Sequence, residues 1–72
     1  MVTFYNTSKI SSREKEVLHL IANEYTTNEI AAELYLSPHT VISHRKNLLQ
    51  KMHAKNVAGM VRRGFEIGIL TA

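Results

Sequence analysis

From Ile10 onward the apolar residues recur at intervals of three and four, and no clean alternating run of β-branched residues follows Thr7. That spacing matches 3.6 residues per turn, so the pattern predicts a domain built from helices alone. Four start signals divide it. Ser11-Ser12-Arg13-Glu14 reads as a capping box, with the Ser11 hydroxyl taking the amide of Glu14 and the Glu14 carboxylate reaching back to the Ser11 N–H. Val17, Leu18, Ile21 and Ala22 then form one apolar arc. Glu14 falls in the middle of this arc, and capping explains a carboxylate there without any catalytic role. A second box, Thr26-Thr27-Asn28-Glu29, opens a short helix whose inner stripe is Ile30, Ala31 and Leu34. A helix this short is marginal alone in water and must be held by packing.

The third start is Ser37 followed by Pro38, the one proline, at the first helical position where a missing N–H costs nothing. Only Tyr35 and Leu36 separate it from the second helix. Two helices joined so closely cross steeply, as in a helix-turn-helix unit, and the small side chain of Ala31 lets them approach. The third helix is expected over 38–53. A fourth is expected from near Asn56 to Ile67, with Val57, Met60, Val61 and Phe65 as its apolar stripe and Gly68 as its stop. The expectation is an all-α, four-helix bundle-like domain over residues 10–72, preceded by a flexible tail or linker remnant, Met1 to Lys9, which has no periodicity.

Composition narrows the possible functions. A chain of 72 residues buries only about 60% of its unfolded surface and has no room to enclose a large catalytic cavity. Without cysteine there is neither a disulfide nor a thiolate metal site. No apolar run approaches the ~18 residues of a membrane span, so no membrane partner is expected. Met1 to Lys9 lacks the apolar stretch of a secretory signal, so the chain is expected to stay in the cytoplasm and the Asn6-Thr7-Ser8 sequon to go unread.

Charge is unevenly placed. Residues 1–36 carry three cations against five acids, a net of −2, whereas residues 37–72 carry six cations against Glu66 alone, a net of +5. From Ser37 to Lys55 there are four cationic side chains, three histidines and no acid. A basic half on a small chain suits a polyanion. On a helical wheel Val41, His44, Leu48 and Met52 share an arc of about 80°, the expected inner side of the third helix. His39, Ile42, Ser43, Lys46, Gln50 and His53 share an arc of about 100° facing out. Arg45 and Lys51 flank the inner arc as cations for holding a backbone.

The outward mixture of polar, cationic and small apolar groups suits the floor of a DNA major groove, which an α-helix fits in width. Lys46 is expected to reach guanine acceptors, Ser43 to donate or accept, and Ile42 to meet a thymine methyl or a sugar edge. The helix start, with Ser37, Thr40 and His39, points at a phosphate. Arg45 and Gln50 complete the expected backbone contacts. His44 reads as a core-edge histidine. His39, His44 and His53 are five and nine residues apart, a spacing that does not bring two ligands onto one helical face, so no metal or cofactor is expected. The glutamates form no acid–base pair and no enzyme is expected. Met52 and Met60 read as core filler. Gly64, inside the fourth helix, either packs tightly on the first helix or marks close approach of a second chain.

These residues, taken together, resemble the LuxR/FixJ-type (NarL-like) helix-turn-helix domain of bacterial response regulators and quorum-sensing regulators. The matching run is Ile10 to Leu18, then Thr26, Glu29-Ile30-Ala31, Leu34, Leu36-Ser37, Thr40-Val41, His44, Asn47-Leu48, Lys51-Met52 and Gly68-Ile69-Leu70. The resemblance implies a tetrahelical DNA-binding regulator of transcription. The third helix would read bases from Ile42, Ser43 and Lys46 and meet phosphates from Ser37 and Thr40. The fourth helix would serve for dimerisation through Val57, Met60, Val61 and Gly64. Ile42 departs from the lysine common after the Thr-Val pair in the family, which moves recognition towards Arg45 and Lys46. The family also implies RNA polymerase as a further partner and a receiver or sensor domain upstream, so the chain reads as a stand-alone regulator or an excised output domain. The competing expectation is a helical interaction module that docks an acidic protein on its basic face. RNA binding has little support, because few aromatics are placed to stack on single strands.

Overall fold

Each of the four helices begins at a side chain that accepts from its own third amide. A computed structural model describes residues 9–71 and contains α1 (Ser12–Ala22), α2 (Thr27–Leu34), α3 (Pro38–Lys51) and α4 (Val57–Glu66), with no strand among the described residues. Ser11 and Thr26 complete both arms of their capping boxes with Glu14 and Glu29. Ser37 takes the Thr40 N–H at 3.1 Å, and Asn56 takes that of Gly59 at 2.9 Å. Such a cap is worth ~1 kcal/mol. The expected tail lies outside the described residues except for Lys9, whose carbonyl is bonded into the domain by Lys51 Nζ at 2.9 Å.

The helices stop by one device. Glu24, Tyr35 and His53 adopt left-handed φ values of 67°, 56° and 53°, and Gly68 follows α4 at 84°. After α1, Tyr25 N–H bonds the Leu20 carbonyl and Glu24 N–H bonds that of Ile21, both at 3.0 Å. After α3, Ala54 N–H bonds Leu49 at 2.9 Å and His53 N–H bonds Gln50 at 3.2 Å. Both are the paired bonds of a Schellman stop. The stop at His53 ends α3 at Lys51, two residues short of the expected 53.

Helices α1 and α3 form the centre, and each contacts all the others; α2 and α4 lie on either side without a substantial contact of their own. Val17, Leu18, Ile30, Val41, Leu48, Met52 and Met60 are wholly buried. Each large apolar side chain so buried contributes about 1.5–3 kcal/mol. Ile10 and Leu70, from outside the helices, are buried in the same core. Gly68 turns the chain back, and Leu70 N–H bonds the Gly64 carbonyl at 2.9 Å. A Cβ on Gly64 would lie 2.7 Å from Leu70 Cδ1 and 3.2 Å from Leu18 Cδ2. Of the two roles open to Gly64, the structure gives it the packing role on α1.

Candidate nucleic-acid interface

The turn between α2 and α3 fixes how α3 is presented. Tyr35 bends left-handed, Leu36 N–H returns to the Ala31 carbonyl at 2.9 Å, and Ser37 at once caps α3. Ala31 is buried at the crossing, where a larger side chain would hold the two helices apart. Leu36 is half-buried, whereas Tyr35 is 96% exposed.

Val41, Leu48 and Met52 turn α3's inner arc into the core, and that sets the outward face. His39, Ile42, Ser43, Lys46 and Gln50 are exposed, Ile42 by 53%. Thr40, His44 and Arg45 are half-buried at the edges. The face runs the length of α3 with no carboxylate in the helix. At its start the Ser37 and Thr40 hydroxyls lie 2.9 Å apart in a hydrogen bond, so the two expected phosphate ligands orient each other.

Lys51 does not join this face. Its Nζ donates to Glu14 Oε1 at 2.9 Å and Oε2 at 3.1 Å, and to the Lys9 carbonyl. It is a tether from α3 to the start of α1 and not the backbone-holding cation expected of it. Glu14, the one buried charged residue among the described residues, thus has a partner as well as a cap. Burial pushes its carboxyl up. Hydrogen bonds from Lys51 and Ser11, with the charge of Lys51, outweigh that and hold it below its ordinary 4.5.

The expected dimerisation residues divide. Met60 is wholly buried and Gly64 is buried against Leu18 and Leu70, so neither is available to a second chain. Val57 is 37% exposed and Val61 half-buried. Phe65, expected inside, is 47% exposed. A wheel separates it from Met60 by about 140°, too far to share the core. That angle could have placed it from sequence, as the position of Lys51 beside His44 and Leu48 could have placed the tether. Tyr35 had no such signal, because a two-residue turn has no period. Among the described residues no group of three or more His, Asp or Glu converges as a metal site.

Comparison with known proteins agrees with this geometry. Residues 8–63 match the family model described as bacterial regulatory proteins, luxR family. The chain is 42% identical over 57 residues to the transcriptional regulatory protein UhpA of Escherichia coli K12, covering 79% of this chain and 29% of that one. It is 40% identical over 52 residues to the spore germination protein GerE of Bacillus subtilis 168, covering 72% of this chain and 70% of GerE. A solved structure of the transcription factor GerE superposes with a TM-score of 0.81 at 28% identity, over 85% of this chain and 91% of that one. The chain spans less than a third of the length of UhpA.

Proposed function

Because the chain belongs to the luxR family of bacterial regulatory proteins, we propose that it binds double-stranded DNA through the outward face of α3 and regulates transcription. The observation that carries this reading is the uncovered, acid-free face of α3, with Ile42, Ser43 and Lys46 exposed along it. A helix with that face fits the major groove. Ile42, Ser43 and Lys46 meet base edges; Ser37, His39, Thr40, Arg45 and Gln50 meet the backbone and fix the register. Its role is recognition, not catalysis.

Two copies pair on the duplex through α4, using Val57 and Val61 and adding Phe65. The exposed apolar side chains on one helix support this pairing. The two α3 helices then lie about one DNA turn, ~34 Å, apart. The greater length of UhpA supports an upstream receiver or sensor domain, with RNA polymerase as the downstream partner and the bacterial cytoplasm as the setting.

Selection of duplexes from a random pool tests the reading. A two-fold related pair of half-sites is the expected product. If a dimer meets about eight phosphates, the log–log slope of affinity against salt is near −7. A pool that shows no enrichment, with affinity indifferent to salt, overturns the reading.

A further inference from the structure

Ile42 is the one large apolar side chain that α3 leaves mostly in water. Val41 and Leu48 are wholly buried and Leu49 is half-buried, whereas Ile42 stays exposed beside Ser43 and Lys46. The fold gains little from an isoleucine there. β-Branched residues form helices less readily than alanine or lysine, and the exposed part of the side chain excludes water from nothing. What isoleucine brings is fixity. In a helix it keeps one χ1 rotamer about 90% of the time, so its methyl groups are held in one place and little rotamer freedom is lost on contact. A rigid apolar knob suits a small apolar target.

Its position on the helix names that target. On a helical wheel Ile42 lies about 60° from Arg45 and about 40° from Lys46. It stands between the half-buried cation assigned to the DNA backbone and the exposed cation assigned to the base edges. In the major groove the C5 position of a pyrimidine has the matching place, next to the backbone of its own strand and to one side of the purine acceptors. Thymine carries a methyl group there. Thr40, also methyl-bearing and near the same end of α3, is half-buried and has its hydroxyl bonded to that of Ser37.

Isoleucine has no donor or acceptor in its side chain, so it does not distinguish the O4 of thymine from the N4 amine of cytosine. What it senses is the methyl group on C5. We infer that Ile42 reads the 5-methyl group of a pyrimidine in each half-site, so that 5-methylcytosine is bound more tightly than cytosine at that place, as thymine is over uracil. The inference rests on the DNA-binding reading above and adds a form of regulation to it: methylation of a cytosine at C5 raises occupancy of the site without any change in base pairing.

The test takes the selected duplex and replaces each thymine in turn by deoxyuridine. The position that responds is then filled by cytosine and by 5-methylcytosine. Binding is measured for the parent chain and for Ile42→Ala. Ile42 is exposed, so this variant leaves the core intact, and circular dichroism checks it. For the parent, removing the methyl group from one half-site is expected to weaken binding about fourfold, the worth of one methyl-sized group returned to water. Methylating the cytosine should strengthen binding by the same factor. Ile42→Ala should show neither difference, while Ile42→Val, which keeps the β-branch, should retain part of both. A methyl effect of full size in Ile42→Ala overturns the inference, since another group or the duplex itself then responds to the methyl. A parent indifferent to every exchange of thymine for uracil overturns it as well, as does one that binds cytosine and 5-methylcytosine equally. A parent chain that enriches no duplex at all overturns the DNA-binding reading itself, before any methyl group is exchanged.

Discussion

Lys51 Nζ sits between the two carboxylate oxygens of Glu14, at 2.9 and 3.1 Å, joining residues 37 positions apart in the chain. The pair ties the last turn of α3 to the cap of α1, and its two ends differ in exposure: the Glu14 side chain keeps 4% of its surface and that of Lys51 39%. Glu14→Gln should therefore destabilise the domain at neutral pH by about 1–2 kcal/mol. That is more than an exposed pair, because Glu14 is buried, and less than a wholly enclosed one, because Lys51 still meets water. The pH dependence follows from the lowered carboxyl. Its stabilisation is fully present above the ordinary value of 4.5 and is lost as pH falls through the depressed folded value. Denaturant melts of parent and variant should differ most above pH 5 and converge in acid. A gap that stays constant down to pH 2 would show that the charge is not what stabilises.

Two glycines in one helix should answer the same substitution in opposite directions. Gly59→Ala introduces only ordinary contacts and should stabilise α4 by about 0.5–1 kcal/mol. Gly64→Ala drives a methyl to within 2.7 Å of buried Leu70 and should cost about 1–3 kcal/mol from crowding, outweighing the same gain in helix propensity. Thermal midpoints of the two variants measured side by side decide it. A pair of shifts with the same sign would contradict the packing at Gly64.

Tyr35 holds a left-handed conformation with its side chain 96% exposed. No packing is lost on removing it, and the left-handed region disfavours a Cβ by about 1–2 kcal/mol. Tyr35→Gly should then raise stability by about 0.5–1 kcal/mol, the remainder going to the greater freedom of glycine when unfolded. Calorimetry on the variant checks the sign. A loss of stability would mean that the ring makes a contact which its exposure conceals.

Lys46 and Arg45 should separate under mutation although they are neighbours in the chain. Lys46 is exposed on the outward face, and Lys46→Ala should cost about 1–3 kcal/mol on the selected duplex and relax preference at one base pair. Arg45 is half-buried at the edge, and Arg45→Ala should weaken selected and random duplexes alike. Competition binding against both pools distinguishes them. Equal losses on both pools for Lys46→Ala would remove it from the base-reading set.

The asymmetry between helix starts and helix stops explains how much could be read in advance. Ser11, Thr26, Ser37 and Asn56 all cap through side chains whose chemistry is visible in the sequence, so the starts of all four helices were legible. Only α4 is followed by a glycine; Glu24, Tyr35 and His53 adopt the left-handed turn although none is glycine or asparagine, so no residue type announces them. Hence α3 was expected two residues too long. The outward side of α3 was legible because one strict period separates Val41 and Leu48 from Ser43 and Lys46. Lys51 and Phe65 were misplaced for a related reason. Both lie at the margins of an apolar arc, where a turn of the helix decides between burial and water, and the partner of Lys51, Glu14, comes from a distant part of the chain.

Leu70 lies beyond the last helix yet works as a stopper, seated over the bare backbone of Gly64 and held by that residue's carbonyl. Trimming the chain ahead of it would uncork the space above Leu18, let solvent into the middle of the protein, and loosen α4 at the end that presents Phe65. The few residues that look most dispensable on paper are therefore the ones that keep α4 seated.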